Sequence, residues 1–337
     1  MSVLSRLGCV ALFTAVFSWP VSCVQAARYP VRPVRLIVPF PPAGGTDIVA
    51  RLMGQALTES FHQQFVVDNR PGAASTIGAS IAAKAIPDGY SLLFVTTSYA
   101  ISASFYKNLP YDPVKDFTAV SLIASGPLLF VVHPSLKADS IRELVALAKK
   151  MPGKLDYASG GAGGINHLAG ELFNSLAGTQ IVHVPYRGAG PALIGVMSGE
   201  AQMMIATLGS ALPHVKSGKL KALAVGSVRR TAILPDLPTV AESGVPGYGA
   251  ENSYGVLAPH GTPPLIVNLL HRQISETLST EETRSKLLKL GFEPTAATPN
   301  EFNAYLKSEI DKWREVLKTA GLASDKTRRP RAAERRR

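Results

Sequence analysis

The sequence predicts an α/β fold built as two lobes, and three observations lead to this prediction. Short apolar runs alternate with helical patterns along most of the chain, which indicates a parallel sheet with helices on its faces. Three of these runs pass through a glycine-rich turn straight into a helix. The chain has 337 residues, more than one hydrophobic core usually holds, so two lobes are expected.

The N-terminus has the pattern of an export signal. Arg6 supplies a positive charge, residues 7–17 form an apolar run, and small residues up to Ala26 form a cleavage site. The alternative, a membrane anchor, needs about 20 apolar residues, and Pro20 interrupts this shorter run. We therefore expect residues 1–26 to be removed and the mature protein to be periplasmic.

Cysteine and charge narrow the function classes further. Both cysteines, Cys9 and Cys23, lie in the signal, so the mature chain lacks disulfides, a thiol nucleophile and thiolate metal ligands. Of the net charge of +11, residues 326–337 carry +6 and the signal +1, which leaves +4 for residues 27–325. We expect residues 324–337 to form a disordered basic tail, since nothing in them can be buried. A polybasic arm for nucleic acid or acidic lipid is the alternative, but no aromatic residue is interleaved for base stacking, so no nucleic-acid partner is expected.

The elements follow in chain order. In the first section the pattern predicts strands at 34–39, 65–68, 91–96 and 119–124, with helices at 47–61 and 76–85. A second set of strands is predicted at 128–133, 155–158, 181–185, 202–206 and 221–227. Its helices are predicted to end at residue 150, to cover 167–176, and to begin near residue 191. Ser140 and Glu143 have the spacing of a capping box for the first of these helices.

The last section predicts a strand at 254–259, a helix at 264–278 and an extended piece at 292–295. The final helix has the clearest signals. Thr298 and Glu301 form a capping box, Pro299 occupies the first helical position, and Gly321 ends the helix. Its apolar residues recur every three or four positions, which predicts a face that docks on a lobe.

The glycine turns predict a site for a small anion. A turn that enters a helix points unpaired backbone N–H groups at open space, and the helix dipole favours negative charge there. The turns lie at 39–47, 159–164 and 186–190. They lack the lysine of a phosphate-binding loop and the spacing of a dinucleotide fingerprint, so no cofactor is expected.

Catalytic and metal signatures are absent from the sequence. No serine stands in a GxSxG frame, there is no HExxH, and the seven histidines never fall at metal-ligand spacing on one helix. His167 is either a neutral hydrogen-bonding group for a ligand or a histidine packed at its turn. Asp47 either stabilises a helix start or contacts the ligand. Arg187 is either an anion contact or a solvated charge.

The order of motifs resembles a known family. The motifs are PFPPAGGTD at 39–47, NRPGA at 69–73, PDGYSLLF at 87–94, YASGGAGGINHLAGELF at 157–173, VPYRGAGPAL at 184–193, GKLKALAVGS at 218–227, LPDLPTVAESGVPGY at 234–248 and APHGTPP at 258–264. Together they resemble the periplasmic solute receptors of tripartite tricarboxylate transporters, the Bug or TctC family. The resemblance covers nearly all of the mature chain.

The resemblance implies a type II periplasmic binding-protein fold, in which two α/β lobes joined by a hinge close on a carboxylate. Lobe 1 would comprise 27–126 and 237–323 and lobe 2 would comprise 127–236, with boundaries uncertain by about ten residues. The implied partner is an inner-membrane permease of the tripartite type. The implied ligand-binding residues are Phe40, Ala43, Gly44, Gly45, Asp47, Thr97, Ser98, Tyr99, Ser159, Gly160, Gly161, Gly163, Gly164, His167, Pro185, Tyr186, Gly188, Ala189 and Gly190. Of these, Thr97, Ser98 and Tyr99 would lie on a loop of the first lobe.

The sequence thus predicts a monomeric, extracytoplasmic solute-binding protein that takes a small organic acid, by modest preference a dicarboxylate, and is not an enzyme. No metal and no cofactor are expected. Three alternatives stay open: a periplasmic enzyme acting on a carboxylic acid with His167 as base, a ligand sensor without a transport role, and an adaptor that works through the basic tail.

Overall fold

A computed structural model describes residues 29–42, 45–106 and 108–322. The predicted signal, the basic tail, Ala43 and Gly44 lie outside the described residues. Within them strands and helices alternate, which confirms the α/β class. The described part contains no helix that is both long and apolar enough to cross a membrane.

The strands of the described residues are numbered in chain order. They are β1 Val34–Val38, β2 Phe65–Asn69, β3 Ser91–Thr96, β4 Phe117–Val132, β5 Asp156–Ser159, β6 Val182–Pro185, β7 Met203–Thr207, β8 Lys221–Val225, β9 Glu251–Pro259 and β10 Glu293–Ala297. The α-helices are α1 Gly45–Phe61, α2 Thr76–Ala83, α3 Thr97–Phe105, α4 Ile141–Lys150, α5 Ile165–Ala177, α6 Ala189–Met197, α7 Leu208–Lys216, α8 Pro264–Ser279, α9 Glu281–Lys289 and α10 Pro299–Thr319.

Strand β4 is shared by two half-sheets. The first half-sheet has the order β2-β1-β3-β9-β4, with β10 on the other side of β4. The second continues as β4-β7-β5-β6, with β8 also on β4. Residues 117–127 of β4 pair with β9, and residues 128–132 pair with β7 and β8. The predicted lobe boundaries remain a prediction.

The strand register places the carboxyl ends of both sets of parallel strands level with the middle of β4. In the first, β1, β2 and β3 are parallel, and Thr96 at the carboxyl end of β3 lies opposite Tyr254, which lies opposite Ala124 of β4. In the second, Thr207 at the carboxyl end of β7 lies opposite Leu128, and β5 and β6 run parallel to β7. The carboxyl ends of both sets of parallel strands therefore point at residues 124–128 of β4, which we call the crossing.

The separate strands predicted at 119–124 and 128–133 are wrong, because β4 is one continuous strand. Gly126 and Pro127 lie in the gap between the two predicted strands, yet both fit an extended chain, since the φ of proline lies within the extended range. Gly126 is needed for another reason. A Cβ on it would lie 2.5 Å from the carbonyl oxygen of Gly291, so a side chain would push the β10 segment away from the crossing.

Three helices have no counterpart in the sequence prediction: α3, α7 and α9. Helix α3 is rich in serine and β-branched or aromatic residues, which are weak helix formers. Helix α7 contains Pro213, which normally argues against a helix interior. Tertiary packing overrides both local preferences. Most other predicted elements end within a few residues of the observed ones.

The final helix joins the two half-sheets. Thr298 and Glu301 make both hydrogen bonds of the predicted capping box, and Pro299 is the first helical residue. Phe302, Leu306, Ile310 and Trp313 of α10 lie in one buried cluster with residues of α3 and of α5. The predicted docking face is confirmed, and it bridges an element from each half-sheet.

Candidate functional site

Five helices begin on the side of the two half-sheets where the crossing lies, and each follows a parallel strand. Helices α1 and α3 follow β1 and β3 in the first half-sheet, and α5, α6 and α7 follow β5, β6 and β7 in the second. The first turn of a helix carries N–H groups without an intrahelical partner and the positive end of the dipole. We call these five first turns the helix-start group. Their common chemistry is the recognition of an anion.

Two N–H groups of the turn before α5 already donate hydrogen bonds within the protein. Gly161 donates its N–H to Ser159 Oγ at 3.1 Å, and Gly163 donates its N–H to His167 Nδ1 at 3.1 Å. Both glycines have positive φ, 139° and 80°, which a side chain would strain. The N–H groups of Ala162, Gly164, Ile165 and Asn166 have no hydrogen-bond partner among the described residues. Those four are the donors that an anion would find here.

The turn before α6 packs directly on the turn before α5. Gly188 donates its N–H to the carbonyl of Gly160 at 3.1 Å, and a Cβ on Gly160 would lie 2.8 Å from the nitrogen of Ala189. Gly160 is therefore required for the close approach of the two turns. The N–H groups of Ala189 and Gly190 have no described partner, and a Cβ on Gly190 would meet no atom within 4 Å. Pro185 is exposed at the end of β6 beside them.

Two histidines with stacked rings contact the turn before α5. The ring centroids of His167 and His183 are 3.9 Å apart, and His183 Nε2 lies 2.6 Å from Ser159 Oγ. Burial, and secondly the neighbouring His183, lowers the pKa of His167 to about 3, while burial lowers the pKa of His183 to about 4. Both rings are therefore neutral at pH 7. Since His167 Nδ1 accepts the N–H of Gly163, its own proton sits on Nε2.

A buried acid lies next to this pair. Glu171 Oε1 accepts a hydrogen bond from the Tyr157 hydroxyl at 2.5 Å and lies 4.0 Å from His167 Nε2. Burial raises the pKa of Glu171. The geometry favours His167 as a histidine packed at its turn, because its ring is only 6% exposed and Nδ1 already has a partner.

The first turn of α1 is held by Asp47. Its Oδ1 accepts from Asn69 Nδ2 at 2.9 Å and its Oδ2 accepts from Arg51 Nε at 2.9 Å, while Asn69 also donates to the carbonyl of Phe40. The Asp47 residue is only 3% exposed. These bonds tie the start of α1 to the end of β2, which supports the structural interpretation of Asp47. A Cβ on Gly45, the first residue of α1, would meet the Tyr254 hydroxyl at 3.9 Å, which is an ordinary contact.

The loop predicted at Thr97, Ser98 and Tyr99 is instead the first turn of α3. Thr96 caps this helix, since its hydroxyl accepts the N–H of Ser98 at 3.1 Å. The Thr97 hydroxyl accepts from Ser253 N–H and donates to the carbonyl of Glu251. The hydroxyl of Tyr99, a fully buried residue, donates to the carbonyl of Pro113. What this turn offers a ligand is therefore backbone N–H rather than the side chains of Thr97 and Tyr99.

The side chain of Tyr186 packs against helix α6. Its hydroxyl donates to Glu200 Oε2 at 3.1 Å, and its ring covers Gly195, where a Cβ would collide with the hydroxyl. Arg187, the next residue, is exposed and has no acidic partner within 4.0 Å among the described residues. It is the basic side chain within the turn before α6.

Sequence reasoning missed the start of α7. Thr207 occupies the N-cap position, where threonine is a preferred residue, but its hydroxyl contacts that of Ser210 at 2.8 Å rather than a backbone N–H of the helix. The threonine was the available signal, but Pro213 inside the helix opposed it. Asn166 was also missed. Its amide donates to the carbonyl of Ile205 at 2.6 Å and so links α5 to β7.

The donor set favours an anion over a metal. In the part of the chain that the structure describes, no three His, Cys, Asp or Glu side chains lie close enough together to hold a metal ion. The helix-start group instead offers N–H donors from both half-sheets, which cannot bind a cation.

Comparison with known proteins gives the chain a family. A family model described as tripartite tricarboxylate transporter family receptor matches residues 49–322. Protein BugT of Bordetella pertussis is 37% identical over 325 residues, which is 95% of this chain and 99% of that protein.

Solved structures show the same fold. A structure of R. palustris Rpa4515 with adipate has a TM-score of 0.80 and 38% identity, and covers 88% of this chain and 99% of that one. MatC (Rpa3494) from Rhodopseudomonas palustris with bound malate has a TM-score of 0.76 and 31% identity, and covers 86% of this chain and 100% of that one. The predicted periplasmic binding-protein fold is confirmed, and the chain belongs to the receptor family of tripartite tricarboxylate transporters, a family of solute-binding proteins.

Proposed function

We propose that this protein captures a small dicarboxylate between its two half-sheets, outside the cytoplasm, and presents it to an inner-membrane permease. The observation that carries the proposal is the helix-start group, in which five helix N-termini from two half-sheets point at one crossing. The site residues proposed are the unpartnered N–H groups of the turns before α5 and α6, together with the first turns of α1 and α3.

A dicarboxylate fits this arrangement better than a monocarboxylate. Each half-sheet contributes at least two helix starts, so each end of a dianion can meet a positive dipole end. Adipate and malate, the ligands in the two related structures, are both dicarboxylates. A ligand that contacts both half-sheets also stabilises a closed state, to the extent that it binds that state better.

An enzyme with His167 as base is disfavoured by the same geometry. Its ring is buried, its pKa is about 3, and its Nδ1 atom holds the turn through Gly163. A general base works best when its pKa lies near the working pH. A ligand sensor without a transport role uses the same site, and measuring uptake in cells that lack the receptor distinguishes the two.

A thermal-shift screen of the protein without residues 1–26 tests the proposal. The set contains adipate, malate, succinate, acetate, benzoate, glucose and ATP at matched ionic strength. At about a hundred times its dissociation constant a ligand should add about 2.7 kcal/mol to the free energy of unfolding. We expect dicarboxylates to stabilise the protein most. Stabilisation by glucose with no response to any acid would contradict the carboxylate assignment.

A further inference from the structure

The second half-sheet has another edge, opposite the helix-start group. There β4 ends, and β5, β7 and β8 begin. His133, just after β4, donates its N–H to the carbonyl of Gln202 at 2.9 Å, and Lys221 lies opposite Val132 in the register. Six lysines lie in or next to the segments that meet here, and we call them with His133 the basic edge: Lys137, Lys149, Lys150, Lys154, Lys216 and Lys219.

The lysines of the basic edge make no ion pair with the described residues. All six lysines are exposed, and none has an acidic group within 4.0 Å among the described residues. The nearby Asp139 is already paired with Lys221 at 2.5 Å. Residues 127–236 hold 11 Lys and Arg against six Asp and Glu, a net charge of +5. Residues 29–126 and 237–322 hold 15 against 16, a net charge of −1. The positive charge of the folded part thus belongs to the second half-sheet.

Two apolar cavities flank His133 on this edge. One, of about 380 Å³, is lined by the apolar side chains of Leu136, Leu147 and Met151 and by His133, Ser135, Lys137, Gly199 and Gln202. The other, of about 540 Å³, is lined by Pro134, Ile194 and Met197 and by His133, Ser198 and Lys219. Ile194 is 63% exposed and Met151 is 40% exposed. Exposed apolar side chains that line a surface depression mark a candidate site for docking another protein.

We propose that the basic edge docks an acidic segment of a partner protein that inserts apolar side chains into the two cavities. Charge complementarity selects the acidic partner, since six unpaired lysines gain most from carboxylates. Concave apolar cavities of this size hold side chains, whereas an anionic lipid surface meets a basic face without filling cavities. The edge lies at the opposite ends of the strands from the helix-start group, so docking leaves the ligand site open.

Fluorescence anisotropy tests the proposal with a defined probe, the labelled peptide Glu-Asp-Leu-Glu-Glu-Leu-Asp-Glu. The variants are Lys137→Glu/Lys219→Glu and Ile194→Ser, all at exposed positions, with folding checked by circular dichroism. The matched control is Lys84→Glu/Lys307→Glu, which changes two exposed and unpaired lysines of the first half-sheet side.

We expect saturable binding that the lysine pair at the basic edge weakens by at least about tenfold and that the control pair leaves unchanged. Replacing both leucines of the peptide by serine, or using Ile194→Ser, should also weaken it. The proposal is overturned if the peptide does not bind saturably, if both lysine pairs have equal effects, or if only vesicles containing phosphatidylglycerol bind.

Discussion

Gly190 is a position at which a substitution can test the site without disturbing the fold. Its backbone does not need positive φ, and a Cβ there would meet no atom within 4 Å. By contrast, Gly160 has no room for a side chain, because the nitrogen of Ala189 is too close. The first glycine leaves its N–H accessible to a ligand, whereas the second allows two turns to pack together.

Gly190→Val is therefore expected to fold normally and to lose ligand. A branched side chain beside the unpartnered N–H would keep a carboxylate from approaching the backbone, while helix α6 gains from replacing a glycine. We expect at least about tenfold weaker binding, or 1.4 kcal/mol, for a dicarboxylate found by the thermal-shift screen. Gly190→Ala should have a smaller effect. Calorimetry that gives wild-type affinity for the valine variant would place the anion elsewhere.

The histidine pair makes the fold sensitive to acid. The pKa of His167 falls to about 3 on folding from an ordinary value near 6.5, so between these values the unfolded chain binds more protons. The free energy of unfolding therefore decreases as the pH falls through this window, by up to about 1.4 kcal/mol per pH unit for one proton. The raised pKa of Glu171 acts in the opposite direction.

His167→Gln separates this effect from the background, because a glutamine carbonyl can still accept the N–H of Gly163. We expect the variant to be less stable than the wild type at pH 7, and its stability to change less between pH 6 and pH 4. Urea unfolding at several pH values measures both slopes. Equal slopes would mean that His167 titrates in the folded protein as it does in the unfolded chain.

At the scale of elements, helix starts are fixed by side chains that bond to neighbouring strands. Asp47 connects α1 to Asn69 at the end of β2, and Thr97 connects α3 to β9. These contacts hold the N–H groups in place, so that little ordering is needed when ligand binds.

Asp47→Ala should therefore reduce stability, by about 1–3 kcal/mol, because it removes a buried carboxylate that accepts hydrogen bonds from Asn69 and Arg51 and takes a negative charge away from a helix start. The control is Asp311→Ala, whose carboxylate is 72% exposed and, among the described residues, pairs with the exposed Arg314 alone. That change should cost less than about 1 kcal/mol. Denaturant unfolding measures the loss of stability in both variants, and equal losses would show that Asp47 does not hold the turn.

Sequence patterns predicted elements best where the local and tertiary preferences agree. The capping box at Thr298 and the apolar stripe of α10 are both present as expected. The break predicted near Pro127 and the loop predicted at Thr97 were wrong, since pairing in β4 and packing of α3 outweigh local propensity. The turns of the candidate site were identifiable from glycine spacing. The N–H groups that already donate to Ser159 and His167 could not be predicted, because these bonds depend on side-chain contacts that residue spacing does not reveal.

For the whole molecule, the shared strand β4 and helix α10 decide how the half-sheets can move. Both elements contact both half-sheets, so the connection is continuous at the crossing and at α10. Thr231, which follows β8, also donates to Glu293 Oε1 of β10 at 2.8 Å. Motion that closes the site must therefore bend these connections rather than separate independent bodies.

Small-angle scattering should show this closure. A ligand that meets helix starts of both half-sheets should lower the radius of gyration, because it draws the two together. The comparison uses the protein with and without a dicarboxylate that stabilises it, with glucose as the control. An unchanged radius would favour a site formed within one half-sheet.

A ¹H–¹⁵N correlation NMR titration of the deuterated protein with a stabilising dicarboxylate tests most directly whether the helix-start group binds the anion. We expect the largest shifts at the N–H groups of Ala162, Ile165, Ala189 and Gly190, with further shifts in the first turns of α1 and α3. Shifts confined to other parts of the chain, with those four amides unchanged at saturation, would contradict this expectation.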